Sequence, residues 1–149
     1  MRLDWDYRVA DLLQLAESFT KETKYPITYS PEGATEYLWR LLNDPNTSVF
    51  IDYFNDICTG GIIVYRANQF QHEYFGYVLK MYVHPKFRRT GASRRLMQEA
   101  VQWFDENDCV VSFETAIAGI GEDKLYINLL KKFGYVPEGT AFIRYRREL

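Results

Sequence analysis

The sequence is poor in the residues that build metal and redox centres: its 149 residues include two cysteines, Cys58 and Cys109, and two histidines, His72 and His84. The cysteines lie far apart in apolar runs and read as reduced core residues, and without close Cys or His spacing no metal site is expected. No apolar run approaches the ~20 residues of a membrane span, and the opening "MRLDWDYRV" has no signal-peptide core. The expectation is a cytoplasmic chain without a membrane partner. Charge of one sign is also scarce, since 18 basic residues face 20 acidic ones for a net charge of −2. The molecule as a whole therefore does not steer toward nucleic acid, and any attraction for anions must be local. Linkers, internal repeats and charged tails are missing too. Residues 1–149 are expected to form a single domain, long enough to bury roughly 70% of the surface of the unfolded chain.

Apolar residues are plentiful at 47%, with 17% aromatic, and their spacing defines the elements. After a short opening strand, Val9, Leu12, Leu13, Ala16 and Phe19 recur at helical spacing and predict a helix to about Lys21. Ser30 caps a second helix with Pro31 in its first turn and Ala34, Tyr37, Leu38, Leu41 and Leu42 as its stripe. The period then falls to two. "SVFIDYF" and "ICTGGIIVYR" read as strands joined at Asn55-Asp56, with Gly60-Gly61 as a bulge, and a third strand runs from about Glu73 to Val83, closed by Pro85. A helix carrying Leu96, Met97, Ala100, Val101 and Phe104 follows. "CVVSFETA" reads as a central strand, then comes a helix carrying Leu125, Tyr126, Leu129, Leu130 and Phe133 and stopped by Gly134. "AFIRYRR" ends the chain as a strand. The fold class is α/β, a mixed and mostly antiparallel sheet flanked by helices, with one right-handed crossover.

Against the weak overall charge, five basic residues stand between Lys86 and Arg95 with no acid among them. They occupy the junction where a strand gives way to a helix, where open amide N–H groups and the positive end of the helix dipole coincide. Gly91 permits close backbone approach to a phosphate and Ser93 is too small to block it. A nucleic-acid reading of the cluster, with Arg144, Arg146 and Arg147 added, is weaker, because strand alternation puts Arg147 on the opposite face from the other two.

The segment "MYVHPKFRRTGASRRLM" resembles the coenzyme-A-binding segment of the GNAT superfamily of N-acetyltransferases. Met81, Val83, Pro85, Arg88, Gly91, Leu96 and Met97 match its pattern, Ser93 replaces the usual last Gly or Ala, and "YINLLKKFGY" is similar to the family's second motif. The resemblance implies the acyl-CoA N-acyltransferase (GNAT) fold and acetyl transfer from acetyl-CoA to a primary amine. It further implies that the amides of Arg88, Arg89, Thr90, Gly91, Ala92, Ser93 and Arg94 hold the diphosphate while the backbone of Met81, Tyr82 and Val83 pairs with the pantetheine arm. A homodimer stays open, as does a coenzyme-A-binding module without catalysis, because Leu130 stands where the family often has its acidic tyrosine and Lys80 where it often has a carboxylate.

Transfer needs a base for the amine and an acid for the leaving thiolate. Tyr126, one turn before Leu130 on the same face, is the candidate acid. Glu114, which interrupts an apolar strand near its end, is the candidate base. Glu73 and His84 are poorer candidates for that role. Tyr25, Tyr29, Tyr37 and Trp39 are candidates to line the acceptor site, and core packing explains some of them equally well.

Overall fold

The computed structural model describes residues 1–115, 123–139 and 144–146. Helix α1 (Val9–Glu22) and helix α2 (Pro31–Leu42) precede three antiparallel strands, β1 (Thr47–Phe54), β2 (Ile57–Ala67) and β3 (Tyr74–Val83). A 3-10 turn (Pro85–Phe87), helix α3 (Ala92–Glu106), strand β4 (Cys109–Phe113) and helix α4 (Asp123–Lys132) follow. The sheet order is β1-β2-β3-β4, and β4 lies parallel to β3, so α3 is the crossover between them.

Local chemistry accounts for most boundaries. Ser30 accepts a hydrogen bond from the Gly33 amide at 3.1 Å and caps α2, whose first residue is Pro31. Asn55 and Asp56 both hold positive φ, 48° and 61°, the geometry of a two-residue hairpin whose twist matches its strands. At the end of α4 Gly134 takes φ 87°. Proline at position 85 ends β3, and His84 Nδ1 accepts from the Lys86 amide to set the turn that follows.

Two layers of helix cover the sheet. Leu96, Met97, Ala100, Trp103 and Phe104 of α3, joined by Leu130 of α4, pack on Phe50, Ile62, Val64 and Val83. On the other face Val9 and Leu38 meet Val49 and Ile51. A side chain as fully buried as Leu96 or Met97 contributes ~1.5–3 kcal/mol.

Four expectations need correction or stand aside. The opening strand reduces to one antiparallel bridge between Arg2 and Phe50, tied by the Leu3 amide to the Val49 carbonyl at 2.7 Å. Bulges fall not at Gly60-Gly61 but at Thr59 in β2 and Leu79 in β3, where the pairing registers skip a residue. The glycines serve close approach instead: a Cβ on Gly60 would lie 2.7 Å from the Tyr82 carbonyl oxygen, and one on Gly61 would lie 2.7 Å from Leu12 Cδ1. Among the described residues β4 is the last strand rather than a central one, with Val110 60% exposed. Of the expected final strand only Arg144, Tyr145 and Arg146 are described, without strand pairing; the remainder lies outside the described residues.

A Gly60→Ala substitution is expected to destabilise the fold by ~1–3 kcal/mol, because backbone rather than a flexible side chain must yield; urea denaturation measures it.

Candidate active site

Strand β3 loses its neighbour part-way along its length. Its rows with β4 run from Tyr74 opposite Cys109 to Tyr77 opposite Phe113, and β4 ends there, while β3 continues through Val78 to Val83. The bulge at Leu79 sits two residues beyond the last paired row, where the added twist turns β3 away. On the opposite edge β2 stays paired, and the His84 amide donates to the Thr59 carbonyl at 2.8 Å. Backbone groups alternate between the two edges of a strand, so those of Met81 and Val83 face the opening.

At the far end of that opening stands α3. Gly91 is its N-cap with φ 85°, no side chain caps the first turn, and no acidic residue lies within it. Among the described residues, the amides of Gly91, Ala92, Ser93 and Arg94 meet no protein acceptor. Four N–H groups without partners at the positive end of a 15-residue helix form a seat for an anion. Two other amides assigned to the cradle are in use: Arg88 donates to the Pro85 carbonyl at 3.4 Å and Thr90 to Phe87 at 3.3 Å. The four open amides fit a diphosphate, and the edge at Met81 and the Val83 amide, which no strand of the described residues pairs, fits an extended amide-bearing arm.

Two ion pairs fix this cradle. Arg95 grips Asp52 through Nε at 2.8 Å and Nη2 at 2.9 Å, and its Nη1 donates to the Thr90 carbonyl at 3.2 Å, so β1 anchors the turn. Arg88 does not reach out to the rim. Its Nη1 and Nη2 hold Glu22 at 2.6 and 2.9 Å, and its Nε donates to the Val83 carbonyl at 3.0 Å. Tyr82 adds its hydroxyl to the same carboxylate at 2.6 Å. Burial pushes the Glu22 carboxyl up, but the hydrogen bonds from Arg88 and Tyr82 outweigh it and hold its pKa below the ordinary value.

Residues 11–135 match the acetyltransferase (GNAT) family. The chain belongs to the GNAT acetyltransferase family. None of the curated proteins compared matches it in sequence. Solved structures share its fold at low identity. An aminoglycoside acetyltransferase, meta-AAC0020, from an uncultured soil metagenomic sample is 20% identical over 99% of this chain and 95% of its own, with a TM-score of 0.74. AAC(6')-Iy, solved with a bisubstrate analogue of coenzyme A, is 13% identical over 99% and 97%, with a TM-score of 0.76. A ribosomal-protein-alanine N-acetyltransferase from Brucella melitensis biovar Abortus 2308 is 15% identical over 98% of each chain, with a TM-score of 0.71.

As a GNAT acetyltransferase the protein draws its acetyl group from acetyl-CoA, and the two side chains singled out for acid–base chemistry stand together. Glu114 follows the last paired residue of β4, and Tyr126 packs from α4 against the core under α3. Burial pushes the Glu114 carboxyl up to about 8, against the hydrogen bonds of the Tyr126 hydroxyl and the Thr115 backbone, which pull it down. Among the described residues, one of its oxygens, Oε2, is sealed from solvent without a hydrogen-bond partner. Burial, and then the Glu114 charge, push the Tyr126 hydroxyl up. Its other neighbour is Met97 Sδ at 3.9 Å. Leu130, in the place often held by a tyrosine in relatives, is 8% exposed and belongs to the core. Among the described residues no group of three His, Cys, Asp or Glu could hold a metal ion, and no helix is long and apolar enough to cross a membrane.

Other candidates are dispersed. Tyr29 donates to the Leu13 carbonyl at 3.2 Å, a contact that secures the connection between α1 and α2. Tyr25 lies beside Tyr145 with ring centroids 6.5 Å apart. Trp39 stacks edge-on with Trp5 at 4.9 Å in an outer groove of about 550 Å3 on α2, on the β1 side of the sheet. The sequence reading missed the row Tyr65, Tyr77 and Phe113, with ring centroids 4.8 and 5.5 Å apart across three strands. The alternation of each strand carried half of that signal; the register that aligns them did not exist until the strands paired.

Gly91→Glu is expected to weaken coenzyme A binding at least about tenfold, because it sets a negative side chain at the anion seat and strains a left-handed position; calorimetric titration with coenzyme A reads the loss.

Proposed function

We propose that this enzyme acetylates a primary amine with Glu114 as base and Tyr126 as acid, the diphosphate resting on the amides from Gly91 to Arg94 and the arm along the β3 edge at Met81 and Val83; the Arg88 and Thr90 amides, already bonded, and the Tyr82 backbone, which faces β2, fall outside that seat. The observation that carries the reading is the coincidence of the open amides of Gly91 to Arg94 with the unpaired edge of β3. It supports direct transfer, since one extended ligand spanning both would present its thioester where β3 and β4 part.

The amine nitrogen attacks the thioester carbonyl, forming the C–N bond as the C–S bond breaks. Glu114 takes the proton from the nitrogen, and Tyr126 gives its own to the departing sulfur. The contact between the two side chains closes the cycle, because the proton collected by Glu114 passes to the Tyr126 oxygen. A carboxyl with a pKa near 8 suits both halves of that exchange near neutral pH, being neither too weak a base nor too reluctant an acid. The main-chain N–H groups at the parting of the strands supply donors for the carbonyl oxygen as charge develops. The setting is cytoplasmic, in keeping with the free thiols of Cys58 and Cys109.

Acceptors differ among proteins of this fold: the structural neighbours include aminoglycoside acetyltransferases and an enzyme of ribosomal-protein alanine. The common element is a primary amine.

Two substitutions test the roles through release of free thiol from acetyl-CoA across an amine panel. Glu114→Gln is expected to lower turnover ~10²-fold or more with little change in coenzyme A affinity. Glu114 must be deprotonated to act, so wild-type kcat/KM carries a limb that rises with pH through about 8, and the Gln variant loses that limb. Tyr126→Phe is expected to reduce kcat by ~10²-fold. Full activity in either variant removes that residue from the mechanism.

A further inference from the structure

Lys80 is the one residue of the parted stretch of β3 that sets a cation beside the opening on the α1 face. Register fixes its direction. Lys80 pairs with Ile63 and Tyr77 with Tyr65, so across the Leu79 bulge Lys80 and Tyr77 are successive side chains on the face that α1 covers. Phe113 continues that row across β4. From α1, Phe19 places its ring 4.6 Å from Lys80 Nζ and packs edge-on against Tyr82 at 5.8 Å.

The ammonium has no counter-ion among the described residues. Among the described residues no carboxylate pairs with Lys80, and the aromatic ring of Phe19 is its only partner. Glu22, one turn beyond Phe19 on α1, is held by Arg88 and Tyr82. Lys80 is open to water on one side, yet burial by the surrounding protein still lowers its pKa. It stands between the Phe19 ring and solvent, on the parted stretch of β3. A cation so placed, desolvated in part and lacking an anion, is poised for one from outside.

We infer that Lys80 selects the acceptor: the amine acetylated here carries an anionic group, as an amino acid does, together with an apolar or aromatic body that lies against Phe19, Tyr77 and Phe113. The inference rests on the acyl-transfer reading above. A polycation would meet an uncompensated ammonium on this wall, with the nearby carboxylate of Glu22 already committed. An amino acid instead pairs its carboxylate with Lys80 and leaves its nitrogen free for the thioester. Lys80 thus acts by binding, and no proton passes through it.

Matched amines that differ only in the carboxylate test this: phenylalanine against phenethylamine, and tyrosine against tyramine, with an aminoglycoside as the polycationic arm. Thiol release from acetyl-CoA gives kcat/KM for each. The expected wild-type preference for the carboxylate-bearing member of each pair is at least about tenfold, the effect of one charge-assisted hydrogen bond. In Lys80→Gln the ratio is expected to fall to about one, and Lys80→Arg is expected to restore it; melting temperatures identify any variant that does not fold. Equal or better use of phenethylamine, tyramine or the aminoglycoside by the wild-type enzyme overturns the role of Lys80 while leaving acyl transfer intact. Lack of thiol release with every amine overturns the transfer reading, and this inference with it.

Discussion

Among the described residues, the backbone of β3 beyond Tyr77 has no strand partner on its β4 side, where Arg88 Nε takes the Val83 carbonyl alone, and the first turn of α3, later in the chain, has donors with none. Leaving such groups unpaired and shielded from water costs ~1–3 kcal/mol each, so a fold normally avoids it. Here the two sets lie close together because only the residues from His84 to Gly91, with the 3-10 turn Pro85–Phe87 among them, separate the end of β3 from the start of α3. A ligand that pairs with both recovers what the fold forgoes. The bulge at Leu79, the end of β4 at Phe113 and the left-handed turn at Gly91 all serve to keep those groups vacant and aligned.

Charged side chains hold the crevice open rather than occupying it. Arg95 connects the turn to Asp52 on β1, and Arg88 connects it to Glu22 at the end of α1. Asp52 also accepts from the Thr59 hydroxyl at 2.5 Å, and Thr59 is the bulged residue whose carbonyl receives the His84 amide. The cradle, the central strands and α1 therefore form one connected polar framework. Each arginine in it has its donors directed by a carboxylate and a carbonyl together, which gives the pairs a geometry that isolated surface ion pairs lack. The basic cluster that distinguishes this stretch of sequence is thus divided: two arginines build the site, while the positive field at α3 comes from the amides and the exposed cations around them.

The two faces of the parted strands are chemically different. On the α3 and α4 face, Glu114 and Tyr126 share a pocket dry enough to raise both pKa values. On the α1 face, Lys80 stands among aromatic rings. The separation follows from strand alternation, which sends Phe113 and Glu114 to opposite faces.

Local rules in the sequence were enough for the elements: helical spacing marked α1 to α4, Ser30 and Pro31 the start of α2, and Asn55-Asp56 the hairpin. The strand–proline–glycine–helix passage around Gly91 was legible for the same reason, since its chemistry lies within about ten neighbouring residues. The sequence also singled out Glu114 and Tyr126, each from its own oddity in an apolar pattern. Their contact, the commitment of Arg88 to Glu22 and the exposure of Lys80, with no counter-ion among the described residues, were decided only by tertiary structure. Each depends on residues 12 to 66 positions apart meeting through strand register and helix packing, and a one-residue change of register in β3 would turn Lys80 to the other face.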